Sequence, residues 1–413
     1  MNDLSQHLRK CRACGGRLSL TFCDLGTMAV ANAYLSKEAD LMAEPVYPLR
    51  VKVCEHCKLV QLDTVVDAAS IFSEYAYYSS ASATWLAHAA QFSQAMTDKL
   101  QLNHDSLVVE VASNDGYLLR NFVQAGIPCQ GIEPAANIAK QAIANGIPTE
   151  VVFLNVDTAR ALVEKRGRHA DLVVANNVLA HVPDINGFVA GLAALAGAQG
   201  VVSIEAPHLV RLVEGIQFDT IYHEHYAYWS LLAMENVLNR HGLHVFDIEQ
   251  LATHGGSLRV LAKADPLVHA SKALTAVREL ESQLGLQGDA YYQGFDQRVQ
   301  AVLSHFRTWL GQQRYRGHRM AAYGAAAKGN TFLNAAGVSN ATFLAVADKS
   351  PGKQGRLLPG SHIPVLTPEA MLTLVPDDIL VLPWNIADEI VNELRQSGFK
   401  GRIWTATPDM RLH

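Results

Sequence analysis

The chain has 413 residues, 49% hydrophobic and 18% charged, with 34 Lys plus Arg against 39 Asp plus Glu and a formal net charge of −5. That length exceeds one ordinary core and predicts two or three domains, and the composition excludes a disordered chain. The mild acidity argues against a broad nucleic-acid or anionic-membrane surface, which needs a basic field, and no apolar run reaches membrane-spanning length.

The N-terminal stretch MNDLSQHLRKCRACGG lacks the apolar run of a signal peptide, so the expected compartment is the cytoplasm, where thiols stay reduced. Residues 1 to about 70 hold five of the six cysteines. CRAC (Cys11, Cys14) and CEHC (Cys54, Cys57) are two C-x-x-C knuckles separated by 39 residues. Each knuckle offers two thiolates to one side of a tetrahedral ion, and the two together predict a closed structural Zn2+ site. Two unrelated redox or packing pairs are the plainer alternative. Cys23 and Cys129 read as buried apolar residues, and His56 as a surface residue inside its knuckle.

From DSLVVEVASNDGYLLRNF onward, short apolar runs alternate with helical stretches. Strands are expected at Leu107–Ala112, Cys129–Ile132, Glu150–Phe153, Asp171–Ala175 and Val201–Glu205, then in LHVFDIEQL and SLRVLAKA. AANIAKQAIANG and DINGFVAGLAALAGAQG are helices that run into a capping Gly. This spacing predicts an α/β fold, a doubly wound parallel sheet covered on both faces. Its first strand carries Glu110 and ends in Asn114-Asp115-Gly116, and the second ends in GIEP with Glu133. One glycine is too few for a pyrophosphate cradle, so the loop points to a nucleoside without phosphate, with Glu133 on the ribose hydroxyls. An acidic loop beside such an acid suits S-adenosylmethionine, a sulfonium cation with a free ribose. Asn176 and Asn177 end the fourth strand and His181 follows.

FDTIYHEHYAYWS (218–230) concentrates two acids, two histidines and three tyrosines. On an extended strand Tyr222 and Glu224 would face away from His223 and His225, so a common site for Tyr222, Glu224 and His225 requires a loop, which is predicted here. His223 reads as a surface or structural residue. THGGSLRV places two glycines before a strand, where the backbone can approach a ligand. Residues 266–318 are largely helical, with Val299, Val302, Leu303, Phe306 and Leu310 on one face. A second strand-helix series follows in RMAAYG, TFLAVAD, DDILVLPW and GRIWTA. YGAAAKGNT within it lacks the Gly-Lys-Ser/Thr of a P-loop.

Taken in order, the C-x-x-C pairs, EVASNDGYLL, NNVLAHVPD, FDTIYHEHYAYWS, HGGSLRV and YGAAAKGNT closely resemble the sugar C-methyltransferase family. The resemblance spans nearly the whole chain. It implies a zinc-binding domain (1–72), a central class I methyltransferase domain (73–265), and a helical linker with a C-terminal Rossmann-like α/β domain (266–413) that helps hold a nucleotide-sugar. S-adenosylmethionine would rest on Glu110, Asn114, Asp115, Gly116, Glu133 and Asn176. The substrate implied is a nucleotide-diphosphate 4-keto-deoxysugar, with TDP as the expected nucleotide. His225 is implied as the base and His181 as a second imidazole, with Tyr222 donating to the keto oxygen and Glu224 holding the imidazole network. Tyr75, Tyr77, His254, Ser257, Tyr323, Lys328, Asn330, Lys353, Trp384 and Asn385 are expected to contact substrate. Lys328 at a helix start would meet the diphosphate and Trp384 would stack on the base. No nucleic-acid or membrane partner is expected, and the assembly expected is a monomer or weak dimer. Two other readings stay open: a nicotinamide-dependent sugar-nucleotide oxidoreductase or epimerase, and a zinc-ribbon nucleic-acid methyltransferase.

Overall fold

A computed structural model describes residues 5–36, 41–66, 79–81 and 83–413. The N-terminal section is built from β1 (Ser5–His7), β2 (Leu18–Ala29), β3 (Val46–Cys54), β4 (Val60–Leu62) and β5 (Thr64–Val66). Strands β2, β3 and β4 pair antiparallel, and β1 pairs with β5. Along β3, Leu49, Val51 and Val53 are buried while Arg50 and Lys52 reach outward, the alternation of a sheet with one covered face. The buried face joins a core with Phe22, whose ring stacks on Phe295 of the C-terminal section at 4.4 Å.

The helix Ala83–Leu100 leads into β6 (Val108–Val111), β7 (Cys129–Ile132), β8 (Thr149–Glu150), β9 (Leu172–Asn176), β10 (Val201–Pro207), β11 (Ala227–Tyr228), β12 (His244–Leu251) and β13 (Ser257–Lys263). Seven of these form one sheet in the order β12-β13-β10-β9-β6-β7-β8, in which β13 alone runs antiparallel, to both of its neighbours. This is the doubly wound sheet expected. Its strands are buried on both faces, so successive residues enter different cores. Val109, Val111, Val173 and Ala175 pack with the helices Ile185–Ala196 and Leu231–Arg240. Val108, Leu172 and Val174 pack with Phe92, Leu119 and Phe122 on the other side.

The expected strand Glu150–Phe153 shrinks to Thr149–Glu150. It lies at the sheet edge, where β7 offers it only two partners and then ends at Ile132, and Val151 and Phe153 emerge into solvent. β11 belongs to neither neighbour in sequence: it pairs with β4 and extends the N-terminal sheet. The stretch after YHEH thus stitches the first two sections together.

The helices Lys272–Gln283 and Phe295–Tyr315 follow, the second burying Val299, Val302, Leu303 and Phe306 as its periodicity predicts. The last sheet contains β14 (Met320–Tyr323), β15 (Val346–Ala347), β16 (Val365–Leu366), β17 (Asp378–Val381), β18 (Arg402–Thr405) and β19 (Arg411–Leu412). Its order, β16-β15-β14-β17-β18-β19, is that of a dinucleotide-binding sheet with a reversed final strand. TFLAVAD contributes only Val346–Ala347 to pairing, because β14 meets it just at Ala322 and Tyr323. In each sheet the strand order reverses at the first strand, opening a crevice at the carboxyl ends of β6 and β9 and another at those of β14 and β17. Among the described residues no helix is long and apolar enough to cross a membrane.

Candidate active site

The four cysteines of the two knuckles converge, with all four Sγ atoms within 4.8 Å of one another. Cys14 and Cys54 Sγ lie 3.3 Å apart and Cys11 and Cys57 3.6 Å apart. Tetrahedral zinc, with Zn–S bonds of about 2.3 Å, sets its ligand sulfurs about 3.8 Å apart, so the cluster has the size of that ion. Gly16 N and Gln61 Nε2 donate to Cys14 and Cys11 Sγ, which supports thiolate character. Hydrogen bonds from Cys54 and Cys57 push the Cys11 thiol well down, while its bond to Cys11 pushes Cys57 up. The donor set fits a closed Zn2+ site with no open position for chemistry.

In the first crevice, β6 runs into Ala112 (φ 57°), Asn114 (φ 50°) and Gly116 (φ 78°), three left-handed positions in five residues. At Gly116 a Cβ would lie 2.7 Å from Ile147, so only glycine fits. Glu133 shapes the loop from the end of β7: Oε2 accepts from Asn114 N and Oε1 from Ala135 N, both at 2.9 Å. Burial raises the Glu110 carboxyl well above its usual range, reinforced by the charges of Glu133 and Asp115. Glu110 Oε2, Asp115 Oδ1, Asn176 Oδ1 and both side-chain polar atoms of Asn177 are buried without partners among the described residues. A crevice of acids and spare acceptors fits a cationic nucleoside such as S-adenosylmethionine. Ser79 N and Ser80 Oγ close over it, donating to Asn114 Oδ1 and Asp115 Oδ2. Tyr75 and Tyr77 lie outside the described residues.

Beyond β10 the predicted loop is a tight turn, closed by His225 N donating to Tyr222 O at 2.9 Å. The reversal brings two side chains together that a strand would separate: Tyr222 Oη lies 2.7 Å from His225 Nε2. His225 Nδ1 lies 2.8 Å from Thr220 O. A carbonyl only accepts, so Nδ1 carries the hydrogen and Nε2 offers its lone pair to the Tyr222 hydroxyl. His181 is fixed the same way, Nδ1 donating to Glu224 O at 2.9 Å, and its ring meets that of His225 edge-on at 4.7 Å. Burial lowers the His225 imidazole well below its usual value, helped by His181. Glu224 is buried, Oε1 accepting from Asn32 Nδ2 at 3.0 Å and Oε2 without a partner among the described residues; burial raises its pKa to about 7. His223 is buried and donates to Tyr47 O of β3, a structural rather than a surface position.

The second crevice opens against this turn. Gly324 (φ 92°) ends β14 where a Cβ would strike Pro383, so the loops after β14 and β17 touch. Lys328 lies 4.7 Å over the Trp384 ring and reaches Asn385 Oδ1 at 3.2 Å. Trp384 Nε1 donates to Asp219 Oδ2 at 2.7 Å. Asp219 sits three residues before Tyr222, and burial raises its carboxyl to about 6 despite nearby Lys328. Lys353 Nζ bonds Ala325 O at 2.8 Å and Asp348 at 3.3 Å. His254, in a left-handed conformation (φ 55°), meets Trp85 edge-on at 5.2 Å. Three of the expected substrate contacts also make internal bonds. Ser257 Oγ donates to Thr253 O, Asn330 Nδ2 holds Ala31 O, and the buried Tyr323 bonds Glu393.

Several residues at this site carried no sequence signal. Asn32 and Tyr34 arrive from the N-terminal section, Tyr34 Oη donating to Ala325 O. Glu205, fully buried at the end of β10, gathers His88, Arg259 and Thr253 behind the His254 turn. Asp219 was present in the quoted motif but had no assigned role.

A doubly wound sheet with one reversed strand, an acid-lined crevice and a histidine-rich turn beside it define an S-adenosylmethionine-dependent methyltransferase. Family models match along the chain as a putative zinc binding domain over residues 11–72, a methyltransferase domain over 77–248 and a C-methyltransferase C-terminal domain over 252–408. The C-methyltransferase NovU of Streptomyces niveus is 33% identical over 418 residues, covering 100% of this chain and 98% of its own length. The chain therefore belongs to the C-methyltransferase family: it is an S-adenosylmethionine-dependent C-methyltransferase with a zinc-binding section, and methyl transfer rather than nicotinamide chemistry is its activity. Solved structures that resemble part of it include magnesium protoporphyrin IX methyltransferase (ChlM) from Synechocystis PCC 6803 with bound SAM, at 15% identity, TM-score 0.33, covering 43% of this chain and 80% of that one. Another is the PH0226 protein from Pyrococcus horikoshii OT3, at 9% identity, TM-score 0.36, covering 48% and 98%.

Proposed function

We propose that the enzyme methylates C3, the carbon beside the ketone, of a TDP-linked 4-keto-deoxysugar through an enolate, with His225 as the base. The observation that carries this reading is the Tyr222–His225 pair with its fixed tautomer, 2.7 Å across and backed by His181. A ketone oxygen entering the cleft competes with Nε2 for the Tyr222 hydroxyl. Once Tyr222 turns to that oxygen, Nε2 is free to take the proton from the adjacent carbon, and the hydroxyl supports the enolate charge. Burial keeps His225 neutral at physiological pH, the form a base needs. Glu224 holds the turn and lends a group that exchanges its proton near neutrality. S-adenosylmethionine, when bound, would supply the electrophilic methyl group, the enolate carbon forming the new C–C bond as the S–CH3 bond breaks and S-adenosylhomocysteine leaves. Lys328 at the start of its helix serves the diphosphate, Trp384 and Asn385 the nucleoside, and His254 the sugar.

The test is proton exchange. Incubation with TDP-4-keto-6-deoxyglucose in deuterated water, followed by NMR and mass, should show deuterium entering beside the ketone and a methyl gain at C3 when S-adenosylmethionine is added. Methylation at C5 would move the carbon assigned. Neither exchange nor methylation across several nucleotide-sugars would overturn the substrate class.

A further inference from the structure

The segment leaving β2 threads between the catalytic turn and the C-terminal sheet. On one side it is bolted to the C-terminal section three times: Ala31 O accepts from Asn330, Tyr34 Oη donates to Ala325 O, and Leu35 exchanges both backbone bonds with Leu357 at 3.1 and 2.9 Å. Asn32 contacts the other side, its Nδ2 lying 3.0 Å from Glu224 Oε1. Glu224 is buried, and its other oxygen has no partner among the described residues. A carboxyl with one side-chain donor takes its orientation from that donor. A buried oxygen left unpaired is costly and gains most from a ligand that pairs it.

We propose that Asn32, delivered by the zinc-binding section, is a positioning residue of the reacting centre: it turns the Glu224 carboxyl so that Oε2 is kept for the bound sugar. The inference rests on the reading of Glu224 as part of that centre. It also gives the N-terminal section a part in the chemistry, because the zinc-supported sheet carries the strap that carries Asn32. The strap's anchors include Asn330 on the helix Ala327–Ala335, which also bears Lys328, so the crevice for the nucleotide and the orientation of Glu224 share one element. The groups that face Glu224 are Asn32 and Tyr34 from the strap, Tyr228 from β11, and His181, which bonds its carbonyl; His225 follows it in the turn. The charged form of the carboxyl is favoured by the backbone N–H of Glu224, by the Asn32 side chain, its one side-chain donor, and by the Asn32 backbone N–H.

The experiment compares the full-length, zinc-loaded enzyme with its Asn32→Ala, Asn32→Ser, Asn32→Asp and Glu224→Gln variants, using S-adenosylmethionine and TDP-4-keto-6-deoxyglucose. The readouts are kcat and KM across pH, with zinc content and melting temperature as controls. A lost charge-assisted hydrogen bond should lower kcat of Asn32→Ala roughly 10- to 100-fold with KM within about threefold. Its loss should also move the Glu224 limb of the kcat profile alkaline by up to about one pH unit, since the one side-chain donor that favours the carboxylate is gone while the backbone donors stay. Asn32→Asp should move it further by like-charge repulsion, and Asn32→Ser, which keeps a short donor, should recover part of the loss. If Asn32→Ala loses zinc or fold, Asn32→Ser and Asn32→Asp carry the same test. Wild-type kcat and an unmoved profile in the Asn32 variants, with Glu224→Gln impaired, overturn the role of Asn32 alone. Wild-type turnover in Glu224→Gln overturns the reading of Glu224 and the proposal with it.

Discussion

The two crevices of this enzyme are built alike and lined differently, one by acids and the other by lysines. Both open where the strand order of a parallel sheet reverses, and both begin with a loop that needs a left-handed glycine, Gly116 in one and Gly324 in the other. The first is lined by Glu110, Asp115 and Glu133; the second offers Lys328 beside the Trp384 ring and Lys353 bonded to Ala325 O and Asp348. In the proposed reaction one architecture thus serves a sulfonium cation on one side and an anionic diphosphate on the other. The histidine turn lies between them, and Asp219 bridges it to Trp384. The fold supplies the position of a crevice, and a few side chains decide what it holds.

The largest effect that would break this comparison comes from outside both crevices. Cys54→Ser should lose bound zinc and the cooperative melting of the N-terminal section, read by metal release and thermal denaturation. A folded, zinc-replete variant would contradict the four-cysteine site. Next, His225→Asn should lower kcat by roughly 100- to 10,000-fold while leaving S-adenosylmethionine affinity nearly unchanged, by calorimetry. Near-normal turnover would remove His225 as the base. The different linings of the crevices then predict a double dissociation. Glu133→Ala should weaken S-adenosylmethionine binding by roughly 10-fold or more, and Lys328→Ala should raise KM for the nucleotide-sugar by a similar factor, each sparing the other ligand. If either substitution weakened both ligands equally, the separate assignment of the crevices would fall.

A smaller prediction follows from Glu224. Its folded pKa of about 7 lies above the usual carboxylate value of 4.5 because of burial. The unfolded chain therefore releases this proton first, and the stability linked to the protonated form is complete below pH 4.5 and is lost as pH rises through 7. The loss is about 3 kcal/mol at full extent. Glu224→Gln should thus gain melting temperature relative to the wild type between pH 5 and pH 8. A constant difference across that range would show that Glu224 does not titrate as its burial requires.

Much of this was legible in the chain. Paired C-x-x-C spacing announces a tetrahedral thiolate site because two cysteines with two residues between them can share one ion. Alternating apolar runs and capped helices predict the doubly wound sheets. The parity of Tyr222 and His225 demands a turn, since a strand would point them apart. The strand expected at Glu150–Phe153 failed because apolar composition does not show that a strand lies at an edge. Tyr323 and Asn330, inside a motif that looks like a ligand loop, also bond Glu393 and Ala31 O, partners that lie far away in the chain.

The sequence by itself determined the local elements, the zinc ligands and the chemical inventory of the site, because those follow from side-chain type and from spacings of a few residues. Only the tertiary structure decided which of these groups meet. Asn32 reaches Glu224 across 192 residues, and Trp384 reaches Asp219 across 165. No local pattern encodes such contacts. They depend on how the zinc-supported sheet, the methyltransferase sheet and the C-terminal sheet dock, and docking is set by the summed burial of many residues rather than by any one motif.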